Sequence, residues 1–218
     1  MKFRGIRNVI FDLDGTLIDS SEGVVEATNY ALGQLGEQPR KTSEITGYIG
    51  SPLKTMFEKF SQKSYEEFWR HFQKKGRKTI ALSARPLDGA GEVLRVIYRR
   101  GLKIGIATTK IRVHIDGILS RMGWIDYIQD YVGADDVAQV KPHPEAFLKI
   151  MSLMGAKREN SVVVGDTIND VLAAQAAGLP IVAVRSPYGG ETELKRSRPD
   201  LFLERLSELP SYLEEPHA

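Results

Sequence analysis

Apolar positions along the chain follow two rhythms, and the change between them comes near residue 85. The first apolar run, Val9 to Phe11, is short and continuous and predicts a buried strand bounded by a turn. From about Ser20 to Ala84 the spacing is helical. Val24, Thr28, Ala31, Leu32 and Leu35 share one face, and Gly36 is a natural stop. Pro39 to Lys41 breaks the chain. Ser51-Pro52 then predicts an N-cap followed by proline at the first helical position, with Leu53, Met56, Phe57 and Phe60 as the stripe behind it. Ser64 and Glu67 form a capping-box pattern that opens a helix with Tyr65, Phe68, Trp69 and Phe72 inward.

From Pro86 onward helices alternate with short β-branched runs. Leu87, Ala90, Leu94 and Ile97 predict a helix ended by Gly101, and Leu102 to Ala107 a strand. Ile111, Ile115, Ile118, Leu119 and Met122 predict the next helix, ended by Gly123, before a weaker strand near Tyr131-Val132. Pro144 opens a helix through Phe147, Leu148, Met151 and Met154, ended by Gly155. Ser161 to Val164 and Ile181 to Val184 read as strands around a helix from about Asn169 to Ala177. Phe202-Leu203 reads as a sixth strand, before a short helix through Leu209 and Leu213. Such alternation belongs to an α/β protein with a parallel sheet and right-handed crossovers. Near-continuous apolar strands require cover on both faces. The expected division is an α/β core over 1–19 and 85–218, interrupted by an all-helical insertion over 20–84.

Composition trims the possibilities. The 218 residues, 42% of them hydrophobic, suffice for one domain with a real core and a modest insertion. A net charge of +2 gives no argument for nucleic acid or an anionic membrane surface as partner. With no cysteine, disulfides, thiolate zinc and thiol catalysis are excluded, which fits a cytoplasmic setting. Met1 to Arg7 lacks the apolar core of a signal peptide, and no apolar run is long enough to span a bilayer. The expected partner is a small molecule, and the expected assembly a monomer or small homo-oligomer.

Candidate chemistry gathers at strand ends. The run Val9 to Phe11 delivers Asp12 and Asp14 to a carboxyl end, where open α/β sheets bind ligands, and Gly15 permits a sharp turn. Two acids so close repel unless a divalent cation or a proton intervenes. The pattern therefore points to Mg2+, with one carboxylate free as a nucleophile. Leu102 to Ala107 ends in Thr108-Thr109-Lys110. A hydroxyl there, beside free amides at a helix start, suits a phosphate oxygen or simply caps the helix. Lys141 reads by itself as an ordinary surface lysine, set apart by its place just before Pro142 and Pro144, which fix the local backbone. The strand ending at Val164 leads to Gly165-Asp166 and, four residues on, to Asp170 in the first turn of a helix, where the dipole also favours an acid.

Asp12-Leu13-Asp14-Gly15-Thr16, Thr108, Lys141-Pro142 and Gly165-Asp166-Thr167-Ile168-Asn169-Asp170 resemble, in order, the four motifs of the haloacid dehalogenase superfamily. The overall match is best to its phosphoglycolate phosphatase-like subgroup and covers essentially the whole chain. The resemblance implies a Rossmann-like parallel-sheet core with helices on both faces and a helical cap at 20–84. It implies a Mg2+-dependent phosphatase that acts on a small phosphorylated metabolite through an aspartyl-phosphate. In that scheme Asp12 is the nucleophile, and Asp14 is acid and then base, meeting the metal mainly through its backbone carbonyl. Thr108, Thr109 and Lys141 hold the phosphoryl group, and Asp12, Asp14 and Asp166 hold the metal. Asp170 orients the site from behind, and the cap loop at Gly50 and Ser51 touches substrate. Thr109 stands where relatives often have Asn.

Within the superfamily, dehalogenases and phosphonate hydrolases lack an acid at the position of Asp14, which disfavours both. A beta-phosphoglucomutase-like sugar phosphomutase keeps both acids and a similar cap and is the nearest rival. A receiver-like signalling domain, a phospho-acceptor without turnover, would have no helical insertion after its first acid. A non-catalytic binder on the same scaffold is disfavoured by intact Asp12, Asp14, Lys141 and Asp166. Elsewhere, His71, His114, His143 and His217 show no metal-ligand spacing. The basic run Lys74, Lys75, Arg77 and Lys78 reads as a solvated face. Phe57, Phe60, Phe68, Trp69 and Phe72 read as the insertion's own core.

Overall fold

Short apolar runs form the central strands of one six-stranded sheet, and the computed structural model describes residues 2–214 of the chain. In chain order, β1 (Asn8–Phe11) and the short β2 (Ile18–Asp19) lead into α1 (Ser21–Gln34), α2 (Thr42–Thr46), α3 (Leu53–Phe60) and α4 (Tyr65–Ser83). β3 (Arg85–Pro86) returns the chain to α5 (Ala90–Arg99), β4 (Lys103–Ala107), α6 (Arg112–Met122) and β5 (Asp130–Val132). Then come α7 (Glu145–Met154), β6 (Ser161–Gly165), α8 (Ile168–Ala177), β7 (Ile181–Val184), α9 (Glu191–Arg196), β8 (Leu201–Leu203) and α10 (Leu209–Tyr212).

The sheet order is β5-β4-β1-β6-β7-β8, with every neighbour parallel. β1 is central, and its last residue, Phe11, lies level with Ile106 of β4 and Val164 of β6. Alternation along β1 divides the core. Val9 and Phe11 pack with α5 and α6 through Leu94, Ile97, Ile115 and Ile118. Ile10 packs with α7 and α8 through Phe147, Ile150, Val171 and Ala174. Both faces are thus covered, and every residue of β1, β6 and β7 is buried.

Between β2 and β3 the chain is helical and carries aromatic packing of its own, with Phe57 and Phe68 ring centroids 4.6 Å apart. Gly23 lets α1 lie close on α4: a Cβ there would stand 2.7 Å from the Cα of Ile80. β2 and β3 pair antiparallel, Ile18 with Pro86 and Asp19 with Arg85. Both crossings between sheet and insertion therefore run as one ribbon. Among the described residues, no helix is long and apolar enough to cross a membrane.

Local details differ from the sequence expectations. Pro52 is the cap residue of α3 and not its first helical residue, because its ψ of 133° is extended. Ser64 does accept the N–H of Glu67, at 3.3 Å. Leu87 precedes α5, since Gly89 at φ 75° turns the chain just before Ala90. Leu148 is 40% exposed, because the inward stripe of α7 runs through Ala146, Phe147, Ile150, Met151 and Met154 and leaves residue 148 off the face. α2, α9 and the β2–β3 ribbon were not expected; each is too short to show a period. His217, and residues 215–218 of the expected core, lie outside the described residues.

Candidate active site

The carboxyl ends of β1, β4 and β6 converge on one corner. Asp12 follows β1 directly, and its N–H extends the ladder by donating to Val164 O at 2.8 Å. Asp166 follows β6, and Thr108 follows β4. The turn after β1 needs Gly15, which has φ 79° and leaves room for Asp166. A Cβ at Gly15 would stand 2.1 Å from Asp166 Oδ2.

Lys141 joins three elements. Its Nζ donates to Asp12 Oδ1 at 2.6 Å, to Asp170 Oδ1 at 2.6 Å and to the carbonyl of Ala107 at 3.0 Å. It is 2% exposed, so only such partners make a buried lysine tolerable. Asp170 in turn is fixed by Thr167, the N-cap of α8, whose N–H and Oγ1 donate to Asp170 Oδ2 at 3.0 and 2.6 Å. Asp166 Oδ1 accepts from Thr16 Oγ1 at 3.0 Å, whereas its Oδ2 is buried with no partner.

Asp12, Asp166 and Asp170 each offer an oxygen within 4.8 Å of the others. Against these three carboxylates stands one ammonium, Lys141. Burial pushes the Asp12 carboxyl up to about 7; the Lys141 charge opposes this, and Asp170 adds to it. Burial, Asp12 and Asp170 likewise push Asp166 well above the usual carboxylate range. Burial alone would lower Lys141, but the charges of Asp12 and Asp170 outweigh it and hold the ammonium above its ordinary range. The corner is thus short of positive charge. A divalent cation with a preference for oxygen fits that deficit and the unpartnered Oδ2 of Asp166.

Asp14 is buried, yet its carboxylate turns elsewhere: Oδ1 accepts from Ser20 Oγ at 2.5 Å, and Oδ2 pairs with Lys110 Nζ at 3.0 Å. Of the metal set expected from sequence, the carboxylates of Asp12 and Asp166 gather, joined by that of Asp170, while Asp14 was expected to offer mainly its backbone carbonyl. Thr108 is buried and accepts the N–H of Lys110 at 3.3 Å. Thr109, Gly50 and Ser51 line a cavity between this corner and the insertion, and Gly50 O also accepts from Asn169 of α8 at 3.2 Å. Of the basic run, Lys75 pairs with Glu26 of α1 at 2.7 Å, while Lys74, Arg77 and Lys78 are exposed. No histidine joins the carboxylate group among the described residues.

Sequence reasoning missed Thr16, Ser20 and Lys110. Thr16 and Lys110 stood inside quoted motifs, so their proximity to the acids was the available signal. Ser20 had none, since only the fold brings it back over Asp14.

Residues 9–184 match the family described as Haloacid dehalogenase-like hydrolase. Pyrophosphatase PpaX of Bacillus cereus strain B4264 is 31% identical over 204 residues, 94% of each chain. A solved hydrolase from Pseudomonas syringae superposes with a TM-score of 0.79 at 29% identity, covering 94% of this chain and 96% of that one. A structure described as a predicted phosphoglycolate phosphatase from Haemophilus somnus 129pt shares the fold, with a TM-score of 0.82 at 21% identity over 94% and 97% of the two chains.

Proposed function

The chain belongs to the haloacid dehalogenase-like hydrolase family, and on that premise we propose that it is a Mg2+-dependent phosphatase of small phosphorylated metabolites. The observation that carries this reading is the shared corner itself. Asp12 lies 2.6 Å from a buried ammonium, beside Asp166 and Asp170, at the end of the central strand.

In this scheme an Asp12 oxygen attacks phosphorus, and the bond from phosphorus to the ester oxygen breaks. Asp14, held beside the cleft by Ser20 and Lys110, gives its proton to the leaving alkoxide. Water then attacks the aspartyl-phosphate, Asp14 takes the water's proton, and inorganic phosphate leaves with Asp12 restored. Thr108 holds a phosphoryl oxygen, and the charge of Lys141, whose three N–H groups are shared among Asp12, Asp170 and Ala107 O, offsets the negative charge as it spreads. Asp12 and Asp166 would hold the magnesium, with the Asp14 carbonyl. Both Asp170 oxygens are already taken by Lys141 and Thr167, so Asp170 orients Lys141 instead. Bound there, the ion supplies the positive charge that the three acids and a phosphate dianion lack. The helical segment 20–84 serves as a cap that excludes water from the corner.

The relatives named pyrophosphatase put pyrophosphate on the test panel, beside phosphoglycolate, hexose phosphates and nucleoside monophosphates. Phosphate release with Mg2+ is expected for at least one of them, and release from a hexose phosphate without isomer formation separates hydrolysis from mutase chemistry. Asp12→Asn is expected to cost about 10⁴-fold or more in kcat. Turnover unchanged in that variant would end the aspartyl-phosphate reading.

A further inference from the structure

The segment after β7 reaches the ribbon that carries the insertion. Ser186 and Tyr188 make a tight turn, in which the N–H of Tyr188 donates to Ser186 Oγ at 3.2 Å. Gly189 and Gly190 follow at φ 93° and 81°, left-handed values that redirect the backbone before α9. Held in this way, the Tyr188 hydroxyl donates to Asp19 Oδ1 of β2 at 2.9 Å.

Asp19 is a firm acceptor. Its Oδ1 also takes the N–H of Ser21 at 2.8 Å. Burial would raise the Asp19 carboxyl, but hydrogen bonds from Ser21 and Tyr188, with the Arg85 charge, outweigh it and hold the group below its usual range. The bond from Tyr188 is therefore charge-assisted. Burial, with the charges of Asp14 and Asp19, pushes the Tyr188 hydroxyl far above its ordinary range, so it stays a donor at any working pH.

Ser20 stands next to Asp19, and its Oγ donates to Asp14 Oδ1 at 2.5 Å. The turn after β1 fixes the chain as far as Ile18, whose carbonyl accepts the N–H of Gly15 at 2.8 Å. Beyond that, the β2–β3 ribbon has two residue pairs, Ile18 with Pro86 and Asp19 with Arg85. So short a ladder holds its strands weakly. Tyr188 adds the tie from this end of the ribbon to the sheet core.

We propose that Tyr188 is a positioning residue for proton transfer: by anchoring Asp19 it fixes the adjacent Ser20, and through Ser20 it keeps the Asp14 carboxyl where the leaving oxygen needs it. The assignment rests on the phosphatase reading and deepens it. Tyr188 touches no reacting atom in this scheme. Asp14 gives its proton to the ester oxygen as the bond to phosphorus breaks, and a displaced carboxyl gives it less readily. The cost of losing Tyr188 therefore grows with the basicity of the leaving oxygen. A nitrophenolate departs without a proton, whereas an alkoxide requires one.

The test measures kcat/KM of the Mg2+-loaded enzyme for p-nitrophenyl phosphate, phenyl phosphate and benzyl phosphate. These rings are similar in size, and their leaving oxygens are increasingly basic. The ratio kcat/KM reports formation of the aspartyl-phosphate, so its later hydrolysis does not mask the effect. Asp14→Asn sets the scale: its losses are expected to climb along the series and to reach about 10²-fold or more for benzyl phosphate. Tyr188→Phe keeps the ring and removes the hydroxyl. Its losses are expected to climb in the same order, about tenfold for benzyl phosphate and under about twofold for p-nitrophenyl phosphate. Asp19→Ala breaks the same hydrogen bond from the other side and decides the matter where Tyr188→Phe does not fold, with circular dichroism as the check. Asp19→Asn keeps an acceptor oxygen and is expected to retain most of the wild-type ratio. Losses equal across the three esters, or none, in the folded variants while Asp14→Asn shows the gradient overturn the role of Tyr188 and leave the phosphatase reading standing. Asp14→Asn without a gradient overturns Asp14 as the acid, and the assignment with it. A wild type that releases phosphate from none of the three overturns both readings.

Discussion

Asp166 has one oxygen bonded to Thr16 and the other bonded to nothing, in a corner where three acids face one ammonium. Such a group is costly without a cation and stabilising with one. Asp166→Asn is therefore expected to leave the metal-free protein as stable as wild type, or more so. It should also abolish the rise in Tm of about 3 °C that a tenfold excess of Mg2+ over its Kd is expected to give the wild type. Calorimetric scans with and without MgCl2 read both effects. Asp12, Asp14, Lys141 and Asp166 were legible in the sequence because each sits immediately beside an apolar run, a glycine or a proline, within a short span. Ser20 was not. Its part in holding Asp14 depends on how the chain folds back after the turn at Gly15, and local spacing carries no record of that.

Helix α1 lies against α4 at Gly23, where a Cβ would also stand 2.5 Å from Ser83 Oγ. Part of that wall is backbone, which cannot swing aside. Gly23→Ala gains about 1 kcal/mol of helix propensity, but forcing the two helices apart costs more, so a net loss of about 1–2 kcal/mol is expected. Urea denaturation measures it. The strands of the sheet could be read from sequence because burial on both faces demands unbroken apolar runs such as Val162 to Val164 and Ile181 to Val184. The β2–β3 ribbon could not. Ile18-Asp19 and Arg85-Pro86 are far apart in sequence, and each is too short to show alternation. Leu148 shows the converse error: an apolar residue one step off the stripe reads as core until the helix is set against its sheet.

For the molecule as a whole, the seam between core and insertion is sensitive to acid. His114 of α6 packs beside Gly76 of α4 and stays neutral down to about pH 4, whereas in the unfolded chain it takes its proton near 6.5. A base whose folded pKa is lowered contributes no penalty above about pH 6.5, and stability is lost as the pH falls toward 4. Between pH 7 and pH 5 this amounts to about 2 kcal/mol. Thermal melts at the two pH values should show His114→Leu losing less stability than wild type. Asp19, on the ribbon, accepts the Tyr188 hydroxyl at 2.9 Å, which ties the loop after β7 to the base of the insertion. Because Asp19 and Arg85 are paired neighbours, the whole helical excursion leaves and rejoins the sheet through adjacent strands, as though it were a hairpin turn. A change in its length at this junction therefore leaves the order of the six strands untouched.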